Sequence, residues 1–270
     1  MQRIRLGQSK VQVSRLIYGT EPFNFKKGPD GNKTQGDKTP AEAAQILKGA
    51  MELGVNTWDT SDDYGTHPHV AEALKIVNRK DVVIADKSNA ATEEEGWKAL
   101  ENSRKSLGTE YVDIMFLHIV PPEPVERVDA LGKNYRSTTL SERKGTLKAW
   151  LEAKDSGLIR ATALSTHSTK VLRQVLDEPN IDVVCTTLNM MGAVMDDGTL
   201  EERLDAIQDL KDDGRGIYVI KLLNAGRFRA RGDEVIAWCL QFKDSIDAWN
   251  IGMYDIPEVK HNIELFKKHL

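Results

Sequence analysis

The chain has 270 residues, 40% of them hydrophobic, enough for a sizeable core in one large domain or two small ones. A net charge of −4 at pH 7 argues against a general binder of nucleic acid or anionic membranes. No apolar run approaches about 18 residues, no secretory signal opens the chain, and Cys185 and Cys239 each lie in an apolar stretch as lone core thiols, so we expect a cytoplasmic protein without membrane association.

In chain order, Ile4–Val13 reads as a small hairpin turning at Gly7-Gln8-Ser9. Arg15–Gly19 is the first candidate strand, and a polar loop rich in Gly and Lys follows from Phe23 to Thr39. Thr39 as cap and Pro40 as first residue open a helix that runs to Leu53, with Ala44, Ile46, Leu47, Ala50 and Met51 near helical spacing. Strand candidates then fall at 55–59, 81–87, 111–118, 158–165, 181–189, 215–221 and 246–252. Helices alternate with them at 67–78, 93–107, 140–156, 168–177, 199–213, 230–242 and 256–269. Eight strand–helix units without a composition break predict one (β/α)8 TIM barrel domain over residues 1–270, its bottom capped by the N-terminal β-hairpin. A doubly wound sheet would need fewer units and a glycine fingerprint after its first strand, which Gly19-Thr20-Glu21-Pro22 is not.

Asp59, Tyr64, Lys87 and His118 stand at or just past the ends of the apolar runs Val55–Thr57, Val82–Ala85 and Tyr111–Leu117. Successive strand ends of a parallel barrel converge on one face, so an acid, a phenol, an amine and an imidazole meet there. That set suits proton transfer to or from a carbonyl or alcohol oxygen. Singly, each has a plainer reading: Asp59 as a turn cap, Lys87 as a solvated lysine, Tyr64 as a loop aromatic, His118 as a hydrogen-bonded core histidine. Asp62, Asp63, His67 and His69 lie close enough in sequence to hold a divalent ion. Gly65 and Pro68 break that region into loop, so no helical pair is guaranteed and we expect no metal.

From Gly19-Thr20 through the last helix, these residues resemble the aldo-keto reductase family. The strongest piece is Gly54-Val55-Asn56-Thr57-Trp58-Asp59-Thr60-Ser61-Asp62-Asp63-Tyr64-Gly65, followed by Asp86-Lys87, Leu117-His118 and the fifth-strand segment Gly157–Ala161 with Leu164-Ser165. The resemblance implies metal-free reduction of an aldehyde or ketone by NADP(H) or NAD(H), or the reverse oxidation. Tyr64 would be the general acid, Lys87 would lower its pKa, Asp59 would orient Lys87, and His118 would hydrogen-bond the carbonyl. The family's steroid double-bond reducers replace this histidine, so His118 favours carbonyl substrates.

The same resemblance assigns Gly19, Thr20, Ser165, Thr166, Cys185, Lys221, Leu222, Gly226, Arg227, Gly252, Met253, Glu258 and Asn262 to the cofactor. Several depart from the common pattern. Thr166-His167 replaces an Asn, Cys185 stands for a Gln, and Lys221 takes the place of the aromatic that stacks on nicotinamide. Lys221–Gly226 instead resembles a divergent branch whose seventh strand ends in Lys-x-Leu-x-x-Gly. Gly252-Met253-Tyr254-Asp255 and Glu258 replace the usual clamp on a 2′-phosphate, although Arg227, Arg229 and Arg231 follow strand seven, where barrels commonly hold phosphates. Few residues follow the last helix, so we expect an open cleft covered in part by residues 23–39 and 119–139. An open cleft suits bulky substrates or a partner chain that completes it, and oligomerisation is left open. The missing lid and altered contacts also motivate an alternative, a weakly catalytic nicotinamide-binding regulatory or partner subunit, and the Asp62–His69 cluster motivates a metal-dependent barrel lyase or hydrolase.

Overall fold

A closed barrel of eight parallel strands forms the centre of the computed structural model, which describes residues 1–27, 33–129 and 131–270. The strands are β1 (Leu16–Gly19), β2 (Thr57–Asp59), β3 (Val83–Ser88), β4 (Val112–Leu117), β5 (Ile159–Thr166), β6 (Val183–Thr187), β7 (Gly216–Ile220) and β8 (Ala248–Gly252). They pair in sequence order, and β8 closes on β1 with Gly252 opposite Gly19. The helices between them are α1 (Pro40–Glu52), α2 (His67–Leu74), α3 (Glu93–Leu107), α4 (Lys144–Asp155), α5 (Thr169–Val175), α6 (Leu200–Asp212), α7 (Gly232–Leu240) and α8 (Ile256–His269). The predicted (β/α)8 barrel and its N-terminal hairpin are present.

Local chemistry explains several starts. Thr39, Thr92 and Thr199 each close a capping box with the Glu three residues on, satisfying backbone N–H groups that the first helical turn leaves free. Each cap contributes about 1 kcal/mol. The second helix stops at Leu74, short of the expected 78, because Asn78 caps a separate 3-10 turn, Arg79–Asp81, that leads into β3. The fourth helix begins at Lys144, after a 3-10 turn at Ser141–Arg143.

Inward-facing positions alternate along the strands, as the pleat requires. Ile17, Ala85, Phe116, Ala163, Cys185 and Tyr218 fill the barrel, and Leu6, Val11 and Val13 plug it from below. Those plugging residues belong to the hairpin in which Arg3–Arg5 pairs with Gln12–Ser14. It is fastened by Gln8 N–H donating to Gly214 O at 2.9 Å and Ser14 N–H to Asn56 Oδ1 at 2.8 Å. Gly7 has φ +49°, and a Cβ there would sit 2.3 Å from the Arg215 carbonyl carbon, so only glycine fits the turn.

At the opposite end, both long connections contain more order than their polar composition suggested. Phe25–Lys27 pairs with Lys33–Gln35, and Val125–Val128 pairs with Asn134–Ser137. Residues 28–32 of the first connection lie outside the described residues. No described helix is long and apolar enough to cross a membrane.

Candidate active site

After β2 the chain stays against β3, with Thr60 N–H donating to Ala85 O and Asp62 N–H to Lys87 O. It then turns at Gly65, whose φ is +69°. Asn24 Nδ2 donates to Tyr64 O at 2.9 Å, and the buried Thr66 hydroxyl lies 2.9 Å from the hydroxyls of both Thr20 and Thr60. These bonds hold Tyr64 at the mouth of the barrel.

Lys87 points inward from β3 with 1% of its surface exposed. Its ammonium donates to Asp59 Oδ1 at 2.5 Å and to Thr60 O at 2.6 Å, and lies 5.1 Å from the centre of the Tyr64 ring. His118 follows β4. Its N–H donates to Ser88 O, and its carbonyl accepts from the buried Arg143 Nη1 at 2.9 Å. The His118 Nδ1 is 3.2 Å from Ser61 Oγ and 3.7 Å from Asp63 Oδ2, and the imidazole meets the Tyr64 ring edge-on at 6.0 Å. The structure therefore brings Asp59, Tyr64, Lys87 and His118 together. It adds Tyr218, absent from the sequence-based set, whose hydroxyl donates to Asp59 Oδ2 at 2.6 Å.

Burial drives the Tyr64 pKa well above that of an ordinary phenol, with the carboxylates of Glu21, Asp59 and Asp63 acting in the same direction. The net direction is thus opposite to the lowering expected from Lys87 alone. His118 is driven well below the usual imidazole value, first by burial and then by Lys87, Arg143 and Lys221. Burial also raises both thiols, that of Cys239 to about 12, as suits inert core cysteines.

A cleft of about 710 Å³ extends from Asp59 and Tyr64 past Gly19, Lys221, Leu222, Gly226 and Gly252 to Glu258 and Asn262 on α8. Lys87 and His118 are buried next to Asp59 and Tyr64 and are not among the residues that line it. Part of its wall is bare backbone: a Cβ on Gly19 would lie 2.6 Å from Asn250 Oδ1, and one on Gly252 2.8 Å from Pro22 Cγ. Lys221, Asn224 and Ala225 have φ of +63°, +48° and +54°, which costs about 1 kcal/mol or more at each non-glycine position. Such strain concentrated at a cleft rim is a mark of functional backbone.

Other residues expected at the cofactor do not line this cleft, because local bonds occupy their polar atoms. Thr20 donates to Asp59 O at 2.9 Å, Ser165 Oγ accepts from Ile119 N–H at 2.8 Å, and Thr166 donates to Val120 O at 2.7 Å. Cys185 lies in the barrel core, Met253 is buried with its carbonyl accepting from Tyr18 Oη at 2.8 Å, and Arg227 is exposed beside the cleft. Of the three arginines after β7, Arg229 lines the cleft and is paired with Glu258, while Arg231 is paired with Glu234. Asp62, Asp63, His67 and His69, the candidate ion donors, do not form one cluster, although Asp62 and His67 face a common small pocket. His67 bonds Asp86 and Ser106, and His69 bonds Lys38 O and stacks on Phe23. Asp62 and Asp63 lie instead near His118, one donor atom from each within 4.8 Å of the others.

A family model described as the aldo/keto reductase family matches residues 15–239. Human aldo-keto reductase family 1 member C2 is 29% identical over 163 residues, which cover 54% of this chain and 50% of that protein. The matched segment thus spans about half the length of that relative. L-galactose dehydrogenase of Arabidopsis thaliana is 25% identical over 238 residues, covering 84% of this chain and 67% of that one. The holo form of an aldo-keto reductase from Bacillus halodurans shares the fold, with a TM-score of 0.72 at 20% identity over 99% of this chain and 91% of that one.

Proposed function

Because this chain belongs to the aldo/keto reductase family, we propose that it interconverts an aldehyde or ketone and its alcohol with a nicotinamide cofactor, as one domain over residues 1–270. The observation that carries this reading is the meeting of Tyr64, Lys87, Asp59 and His118 at one end of a long cleft. The cleft suits a dinucleotide: its lining runs from Asp59 to Asn262 on α8, glycine backbone forms part of its wall, and Lys221, Glu258 and Asn262 offer charged and polar groups along it. When bound there, the nicotinamide would supply or accept the hydride.

The chain's own residues handle the proton. In reduction, Tyr64 Oη gives its proton to the carbonyl oxygen, and the nearby Lys87 ammonium stabilises the phenolate left behind. Asp59 keeps that ammonium in place. His118 Nδ1 lies 3.2 Å from Ser61 Oγ; in the tautomer in which Nδ1 accepts there, the neutral imidazole would offer Nε2–H to the same carbonyl oxygen and fix its angle.

A pH dependence follows. The raised Tyr64 pKa keeps its proton in place until pH rises through that high value. The lowered His118 pKa keeps the imidazole neutral until pH falls through that low value. Between those limits Asp62, within 4.8 Å of His118, is pushed up to about 7 by burial and Asp86. Any limb of reductive kcat between roughly pH 6 and pH 9 should therefore centre there and disappear in Asp62→Asn. Steady-state rates of the parent and of Asp62→Asn across that range check this, and a limb that survives Asp62→Asn would contradict it.

The cofactor preference follows from Glu258. Its carboxylate occupies Arg229, accepts from Tyr254 N–H at 2.8 Å, and would repel a 2′-phosphate brought to this end of the cleft. We expect NADH to bind more tightly than NADPH. Glu258→Gln keeps an acceptor for Tyr254 but releases Arg229, and should tighten NADPH binding by about threefold to fivefold, the scale of one exposed ion pair. Titration with each cofactor, followed by tryptophan fluorescence, measures this. Saturation by neither cofactor would remove the nicotinamide reading altogether.

A further inference from the structure

We infer that Tyr218 is a positioning residue of this site: its hydroxyl holds Asp59 Oδ2, so that Asp59 Oδ1 stays turned to Lys87 and the ammonium stays beside Tyr64. The inference rests on the carbonyl chemistry proposed above and adds a fifth group to it.

Asp59, Lys87 and Tyr218 are 2%, 1% and 0% exposed, so no bulk water satisfies the carboxylate. A buried carboxylate needs donors on both oxygens. Lys87 serves Oδ1 at 2.5 Å, and among the described residues Tyr218 is the sole hydrogen-bond partner of Oδ2, at 2.6 Å. Both are short, charge-assisted bonds, and together they fix the carboxylate in plane and direction.

The contact crosses the barrel interior, since β7 and β2 are not neighbours in the sheet. Tyr218 is itself held by Phe116 on β4, edge-on at 5.4 Å, and Phe116 lies 6.0 Å from the Lys87 ammonium. The titratable groups facing the Tyr218 hydroxyl are Asp59 at the end of β2, Cys185 on β6 and Tyr64 in the loop beyond β2. Without the Tyr218 donor, the freed carboxylate can swing both oxygens onto Lys87 and draw the ammonium away from Tyr64. The phenol then releases its proton less readily. Cofactor and substrate contacts along the cleft are untouched, because Tyr218 does not line it.

The test is Tyr218→Phe, which keeps the ring packing on Phe116, made in the parent chain and in Asp59→Asn. In the parent, kcat should fall about tenfold, the scale of one charge-assisted hydrogen bond. KM and cofactor Kd should hold, and the alkaline rise of alcohol oxidation should move to higher pH. In Asp59→Asn the same change should alter kcat by less than about twofold, because the charge it acts through is already gone. Placing 3-fluorotyrosine at position 218 restores the donor and should restore kcat to within about twofold of the parent. An unchanged kcat in Tyr218→Phe, an equal loss in both backgrounds, or no rescue by fluorotyrosine overturns the inference. Absence of turnover in the parent chain overturns the proposed reaction itself, and is distinguished from these outcomes by the parent measurement alone.

Discussion

Tyr64→Phe is expected to lower kcat for carbonyl reduction by about 10³-fold or more while leaving cofactor affinity nearly unchanged. The substitution deletes one oxygen and little else. The edge-on contact with His118 belongs to the ring, and the bond from Asn24 goes to the Tyr64 backbone carbonyl, so both survive. What is lost is the phenolic proton, on a ring whose centre lies 5.1 Å from the Lys87 ammonium. Water is a poor substitute, because it is neither oriented by the site nor acidic enough to protonate an alkoxide as it forms. The loss should fall on kcat, since the phenol acts where charge develops on the oxygen and contributes little to ground-state binding. Paired steady-state kinetics and fluorescence titration separate the two effects. Retention of activity within about tenfold would remove the tyrosine from its role.

Lys87→Met should lose both activity and stability. The ammonium and the Asp59 carboxylate are paired at 2.5 Å out of water, and removing one partner strands the other. Breaking a buried pair in this way costs about 3–5 kcal/mol, a large share of the roughly 5–15 kcal/mol that holds a typical domain folded. Tyr218 continues to donate to Asp59, which places the expected loss near the lower figure. Adding Asp59→Leu removes the stranded charge but leaves the buried Tyr218 hydroxyl without its acceptor, so it should recover only part of the stability, and it cannot restore turnover, because no cation then stands by Tyr64. Urea midpoints for the single and double variants, read beside kcat, check both halves. A Lys87→Met chain as stable as the parent would mean that the buried pair is not formed as described.

Much of the fold was legible because its signals are local. Thr39 with Glu42 and Thr92 with Glu95 announce helix starts within four residues, and the short apolar runs between helices can bury both faces only in a parallel sheet. Asp59, Lys87 and His118 were legible for the same reason, as polar groups at the ends of apolar strands, and the motif around Tyr64 set them in order.

Contacts between distant segments were not legible. Tyr218 sits in Ile217–Ile220 as one more large core side chain, and nothing near it reveals that its hydroxyl meets a carboxylate 159 residues away. Arg143 falls within the helix expected at 140–156 with nothing to mark it for the site, yet it is buried in the turn before α4 and bonded to the His118 carbonyl. The hydroxyls of Ser165 and Thr166 were expected at the cofactor, but neighbouring backbone groups engage them. Left-handed backbone at Lys221 and Ala225 has no signature in residue type, whereas Asn224 is of a type that enters that region readily.

In the proposed reaction hydrogen passes from a nicotinamide to a carbonyl carbon at this site, while Tyr64 supplies the proton to oxygen. Incubating the purified chain with an aldehyde panel and NADH carrying deuterium at the transferable position, then analysing the alcohol by mass spectrometry, tests it most directly. Hydride transfer from the cofactor gives an alcohol with one deuterium at the carbinol carbon, and Tyr64→Phe should give almost none of that product. No alcohol with either NADH or NADPH, or an alcohol whose new carbon-bound hydrogen comes from solvent, would contradict it.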